Sequence, residues 1–235
     1  MKTFKAKTGP FVEQPFYELA EIETICADEL RRFDLYPSDP APVRIDRFIE
    51  KRFNVRPAYA DLPNGLLGFT LFGEKGVAEI VVTRSLDDEG TVPAERRLRS
   101  TLAHEGGHGL LHAHLFAFGQ TPYSLFGDGI ASDAPKILCR KDGMPGTGVT
   151  SKKPPYRWWE FQANQAMGAL LLPKTLVEKA IASELVPMGH FGRPTLANDR
   201  RDYSIKVLSD TFAVNPIVAR IRLDGLFPPG AQLPL

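Results

Sequence analysis

The sequence predicts an α+β domain, mostly helical, with a small antiparallel sheet packed beside one central helix. Three observations carry that expectation. Apolar residues recur at helical spacing in several separate segments. Two short β-type runs, residues 66–72 and 77–83, are joined by Gly73-Glu74-Lys75-Gly76, as in a hairpin. Between that hairpin and the later helices lies Thr101-Leu102-Ala103-His104-Glu105-Gly106-Gly107-His108-Gly109-Leu110-Leu111-His112, an apolar-flanked helix carrying His-Glu-x-x-His.

The elements follow in order. Residues 1–15 carry Pro10 and Pro15 and read as an arm. Phe16, Leu19, Ile22, Cys26 and Leu30 mark one buried face of a helix over residues 15–33, stopped by the proline-rich stretch 36–42. Ile45, Phe48, Ile49 and Phe53 mark a second helix over 44–53. Asp61-Leu62-Pro63-Asn64-Gly65 is a turn, and the hairpin follows. Two strands alone are marginal, so they need a partner, and the helix that starts near Pro93 is the candidate. Residues 119–156 are rich in Gly, Pro, Ser, Thr and Asp and read as a long irregular segment, the kind that is functional or disordered. Helices over 158–172, 176–185, 202–212 and 216–226 complete the chain. The expected organisation is an N-terminal arm and helix over 1–43, a main domain over 44–226 and a loose tail over 227–235.

At 235 residues the chain is long enough to bury a proper core. Its 29 basic and 28 acidic residues leave a net charge of +1, which favours neither a nucleic-acid nor a membrane partner. Cys26 and Cys139 are the only cysteines and read as reduced thiols. The basic N-terminus has no apolar run behind it, so it is not a signal peptide, and no stretch is long enough to span a membrane. A cytoplasmic location is the expectation.

On a helix, positions i and i+4 share a face, so His104 and His108 can aim both imidazoles at one ion. Glu105 then sits beside the open position of the metal, placed to take a proton from a bound water as general base. Gly106, Gly107 and Gly109 each cost about 1 kcal/mol relative to Ala within a helix. A buried helix with polar ligands and three glycines calls for a metal and a close backbone approach.

A catalytic zinc keeps three protein ligands, so one more is needed. His114 stands at the last position of the metzincin pattern, but Leu111 replaces the glycine whose turn brings that histidine back. His112 lies two turns from His104, about 12 Å along the axis, and reads as a residue supporting a ligand or lying at the surface. Glu160 is a carboxylate among Trp158, Trp159, Phe161 and Ala163, a costly setting unless it is paired or bound to a cation. The residues favour Glu160, with Asn164 one turn on to hydrogen-bond a ligating histidine.

His104-Glu105-Gly106-Gly107-His108-Gly109-Leu110-Leu111-His112, then Glu160-x-x-Ala163-Asn164, then Leu170-Leu171-Leu172-Pro173, resembles the ImmA/IrrE family of bacterial zinc metallopeptidases. Gly65-Leu66-Leu67-Gly68 and Glu79-Ile80-Val81-Val82 resemble that family's hairpin, and the similarity spans roughly residues 44–226. The resemblance implies a zincin-like metallopeptidase domain with His104, His108 and Glu160 as zinc ligands and Glu105 as general base. It also implies a narrow-specificity endopeptidase that cleaves a helix-turn-helix transcriptional repressor, with residues 119–156 as a recognition surface. The chain departs from the family at Gly106, where Leu is commoner, and at Met167-Gly168, where Phe-Ala is usual.

Other readings stay open. Tyr203 and His190 are both candidates to stabilise an oxyanion, and sequence order does not choose between them. Cys139 could cap the zinc, against the simpler reading of a buried thiol. Residues 212–223 resemble half of a helix-turn-helix, which would make the protein a DNA- or protein-binding regulator with a structural or vestigial zinc site. Arg220 and Arg222 are few bases for that role, and a packed helix pair is the stronger reading.

Overall fold

The computed structural model describes residues 2–5, 13–117, 136–140, 158–186 and 194–229. The mixed α+β class is as expected. Strands β1 (Lys2–Lys5) and β2 (Glu13–Phe16) pair antiparallel, with Thr3 opposite Pro15. The arm therefore contains a small sheet of its own. Helix α1 (Leu19–Arg32) follows, starting four residues later than its apolar pattern because Pro15 and Phe16 belong to β2. Its start is set by a capping box in which Glu21 accepts from the Glu18 backbone N–H at 2.8 Å. Helix α2 (Ile45–Phe53) ends at Asn54, which adopts the left-handed conformation at φ 57°.

The main sheet has four strands in the order β3-β5-β4-β6, formed by β3 (Ala58–Ala60), β4 (Leu66–Gly73), β5 (Gly76–Thr83) and β6 (Lys136–Arg140). The predicted hairpin is β4–β5, but the sheet is not wholly antiparallel, since β3 runs parallel to β5. Three residues are too few to show a period of two, which hides β3 in the sequence. β6 lies inside the segment expected to be irregular and pairs with β4, with Cys139 opposite Gly68. The rest of residues 119–156 lies outside the described residues.

A short helix α3 (Arg84–Asp88) leads from β5 into α4 (Val92–Ala117), the 26-residue helix bearing His-Glu-x-x-His. One face of α4 lies on β4 and β5, and another packs along α5 (Trp158–Leu171). Helix α6 (Lys174–Ala180) is shorter than expected and gives way to a 3-10 turn and to β7 (Leu185–Val186), which pairs with β8 (Thr195–Leu196). Helices α7 (Arg201–Phe212) and α8 (Pro216–Leu226) pack together as a pair.

One main core joins most of these elements, with Phe72 and Trp159 forming a smaller cluster beside it. Ile22, Cys26 and Leu30 of α1 are buried with Phe48 and Ile49 of α2, Leu170 and Leu171 of α5, and Leu208, Phe212 and Leu223 of the last pair. The start of the expected tail is tied down, and residues 230–235 lie outside the described residues. Phe227 is buried, and its carbonyl accepts from Arg201 Nη1 at 2.9 Å. Among the described residues no helix is long and apolar enough to cross a membrane.

Candidate metal centre

Two helices make the site, and a glycine sets how close they come. A Cβ on Gly107 would lie 3.0 Å from the Ala163 carbonyl oxygen and 3.0 Å from the Ala166 Cβ. Without that glycine α4 and α5 could not touch here. Gly109 serves the opposite flank, where a Cβ would lie 2.7 Å from the Phe53 ring and 2.9 Å from Val77. Gly106 is different, with its nearest neighbour at an ordinary 3.8 Å. The close approach explains two of the three glycines.

Across that contact, His104 Nε2 lies 3.0 Å from His108 Nε2 and 3.2 Å from Glu160 Oε2. His108 Nε2 lies 3.6 Å from Glu160 Oε1, a buried oxygen that makes no hydrogen bond among the described residues. Ligands about 2.0–2.1 Å from a tetrahedral zinc stand about 3.3 Å from one another, so these three separations have the size of tetrahedron edges. The residues fit a divalent metal with affinity for nitrogen and oxygen, and they form one compact group with both histidines fully buried.

The electrostatics agree. Burial works to raise the Glu160 pKa, but its electrostatic pairing with the two histidines, His108 first and then the hydrogen bond from His104, holds it far below the ordinary carboxylate value. Burial works to lower His104, and the hydrogen bond and charge of Glu160 outweigh it, leaving it raised. Burial lowers His108 and lowers His112 strongly, which favours the neutral form of both rings. The contact between His104 and Glu160 favours a proton between them, at the position for which a metal would compete.

The surrounding groups orient these ligands. Asn164 Oδ1 lies 3.0 Å from His104 Nδ1, the contact its position one turn after Glu160 suggested. Glu105 is fully buried, and the Thr70 hydroxyl of β4 donates to its Oε2 at 2.5 Å. Sequence reasoning missed Thr70, although a polar residue in the buried row of an apolar strand is a signal. It also missed Gln162, fully buried on α5, whose Oε1 lies 3.3 Å from His112 Nε2.

The other candidates separate. His112 is fully buried rather than lying at the surface, with its Nδ1 3.0 Å from His108 Nδ1. His114 is carried past the cluster because α4 continues to Ala117 without the turn a metzincin needs. Tyr203 is 58% exposed on α7. His190 and the Cys139 side chain lie outside the described residues. Arg222 is buried in a two-pronged pair with Glu23 and donates to the Leu172 carbonyl at 3.0 Å, while Arg220 pairs with Asp202 at 3.3 Å.

No protein-family model matches this chain, and no curated protein matches its sequence.

Proposed function

We propose that the protein is a zinc-dependent endopeptidase with a zincin-like fold, allied to the ImmA/IrrE metallopeptidases, acting on a helix-turn-helix repressor in the cytoplasm. One observation carries the reading: three ligand atoms from two helices converge at tetrahedron-edge distances with a buried glutamate next in the chain. The family and repressor assignments are supported by the motifs alone.

In this reading His104, His108 and Glu160 hold the ion. When bound, zinc supplies Lewis acidity to a carbonyl and makes water acidic near neutral pH. Glu105 accepts a proton from the attacking water and passes it to the leaving amine. Thr70 holds the Glu105 carboxylate in place through the bond to Oε2. The buried surroundings strengthen each of these interactions.

The alternative, a DNA-binding regulator, is disfavoured by the last helix pair. Arg222 is turned inward onto Glu23, and Arg220 is already paired, so α8 offers little to a phosphate backbone.

The test is zinc content and peptide cleavage for the wild type, Glu160→Ala, His114→Ala and Glu105→Gln, using a proteome-derived peptide library read by mass spectrometry. Expected are one zinc per chain in all but Glu160→Ala, and cleavage lost in Glu105→Gln with its zinc retained. Zinc lost in His114→Ala and kept in Glu160→Ala, or equal cleavage by Glu105→Gln, overturns the proposal.

A further inference from the structure

Three buried polar groups near the site remain without a part in the chemistry above: His112, Gln162 and the main-chain carbonyl of Pro15 in β2. They are joined in a line. Gln162 Nε2 lies 3.3 Å from the Pro15 oxygen, and Gln162 Oε1 lies 3.3 Å from His112 Nε2. His112 Nδ1 lies 3.0 Å from His108 Nδ1, and His108 Nε2 faces His104 and Glu160.

This line has a direction, and it is set at the end far from the metal. A carbonyl oxygen only accepts, so the Gln162 atom facing Pro15 must be the amide nitrogen. That leaves Gln162 Oε1 facing His112, where it accepts from Nε2–H. A neutral imidazole carries one N–H, so His112 Nδ1 is then a bare acceptor. His108 must donate to it from Nδ1–H, which leaves the His108 Nε2 lone pair aimed at Glu160 and His104. Reversing any bond would set two acceptors together at Pro15 or put a hydrogen where the metal belongs.

We propose that Pro15, Gln162 and His112 form a one-way hydrogen-bond relay that locks His108 in its metal-binding tautomer, making Gln162 and His112 positioning residues. The proposal rests on reading His108 as a metal ligand. It gives the N-terminal strand β2 a part in the site, through a backbone atom that no side-chain motif records. It also gives the buried His112 a role besides packing, although its ring does pack edge-on against Trp158 at 5.5 Å between centroids. His104 needs no such relay, because Asn164 performs the same service in one step.

The experiment uses the full chain. Two-bond 1H–15N correlation spectra of the metal-free protein report the tautomer of each histidine, and competition with a zinc chelator reports affinity. The variants are His112→Phe, which keeps an aromatic ring against Trp158, Gln162→Leu, and His112→Gln, whose amide can accept from His108 and donate to Gln162. Circular dichroism confirms that each is folded. The expected wild-type state is His108 as Nδ1–H and His112 as Nε2–H. Zinc affinity should fall about 10–100-fold in His112→Phe and Gln162→Leu, with His108 as mixed tautomers, and recover most of the way in His112→Gln. A wild-type His108 protonated on Nε2, or folded His112→Phe binding zinc as tightly as the wild type, overturns the relay. A wild type that binds no zinc yet shows the expected tautomers sinks the peptidase reading and keeps the relay.

Discussion

Thr70 and Glu105, 35 positions apart in the chain, meet in a buried hydrogen bond of 2.5 Å between β4 and α4. The same hydroxyl lies 3.2 Å from the Glu105 main-chain carbonyl, so one side chain pins both the glutamate and the helix that carries it. The sheet thus sets the position of the proposed general base, while α5 brings Glu160 to the two histidines that could share a metal with it.

Thr70→Val keeps the shape of the side chain and removes the donor. We expect zinc content to be unchanged and turnover to fall about 10–100-fold, the scale typical for losing a group that orients a site residue. Parallel metal analysis and peptide cleavage decide this, and unchanged turnover would show that the bond is only structural.

Gly106→Ala and Gly107→Ala should behave oppositely. At Gly106 an added methyl meets Phe48, Ile49 and Leu170 at 3.8–4.0 Å, and helix propensity favours alanine by about 1 kcal/mol. Thermal stability should rise slightly, with zinc binding intact. At Gly107 the methyl presses on the Ala163 backbone at 3.0 Å and moves α5, taking Glu160 and Asn164 off His104. A lower Tm and about tenfold or greater loss of zinc affinity are expected. Calorimetry and chelator competition on the two variants test both halves.

The metal-free protein should lose stability in mild acid. His108 and His112 have folded pKa values below 6.5, so beneath that pH the unfolded chain binds protons that the folded chain refuses. His104 works the other way: its pKa is raised, so its contribution is fully present below 6.5 and fades as pH rises through the raised value. His112, lowered well below 6.5, is the strongest of these effects and sets the expected direction as a net loss. Glu160 does not enter over this range, since the contribution of its depressed pKa is present above 4.5 and is lost only as pH falls below that value. Between pH 7.5 and 5.5 the Tm should fall, on a scale of about 2–4 °C per kcal/mol for a chain of this length. His112→Phe, with no proton to refuse, should fall less. A Tm that rises toward pH 5.5 contradicts the assignment of neutral rings.

Much of the site was legible because helical spacing is a local property. His104, Glu105 and His108 are ordered by the i, i+4 rule, and Glu160 and Asn164 by the same spacing on a second apolar helix. Thr70 and Gln162 were not legible, since nothing local says which buried polar residue a distant strand or helix will meet. Strands β3 and β6 were hidden for a related reason. One is too short to show a pattern, and the other sits in a stretch whose Gly and Pro content hides five β-forming positions.

Local spacing by itself determined the α+β class, the main helices, the β4–β5 hairpin and the residues able to hold a metal. Tertiary structure alone decided that Gly107 brings α5 onto α4, that His114 is carried past the cluster, and that a Pro15 carbonyl is joined to His108 through Gln162 and His112. The physical reason is range. Helical register follows from bonds four residues apart, whereas buried hydrogen bonds are chosen by which elements pack together after the core has closed.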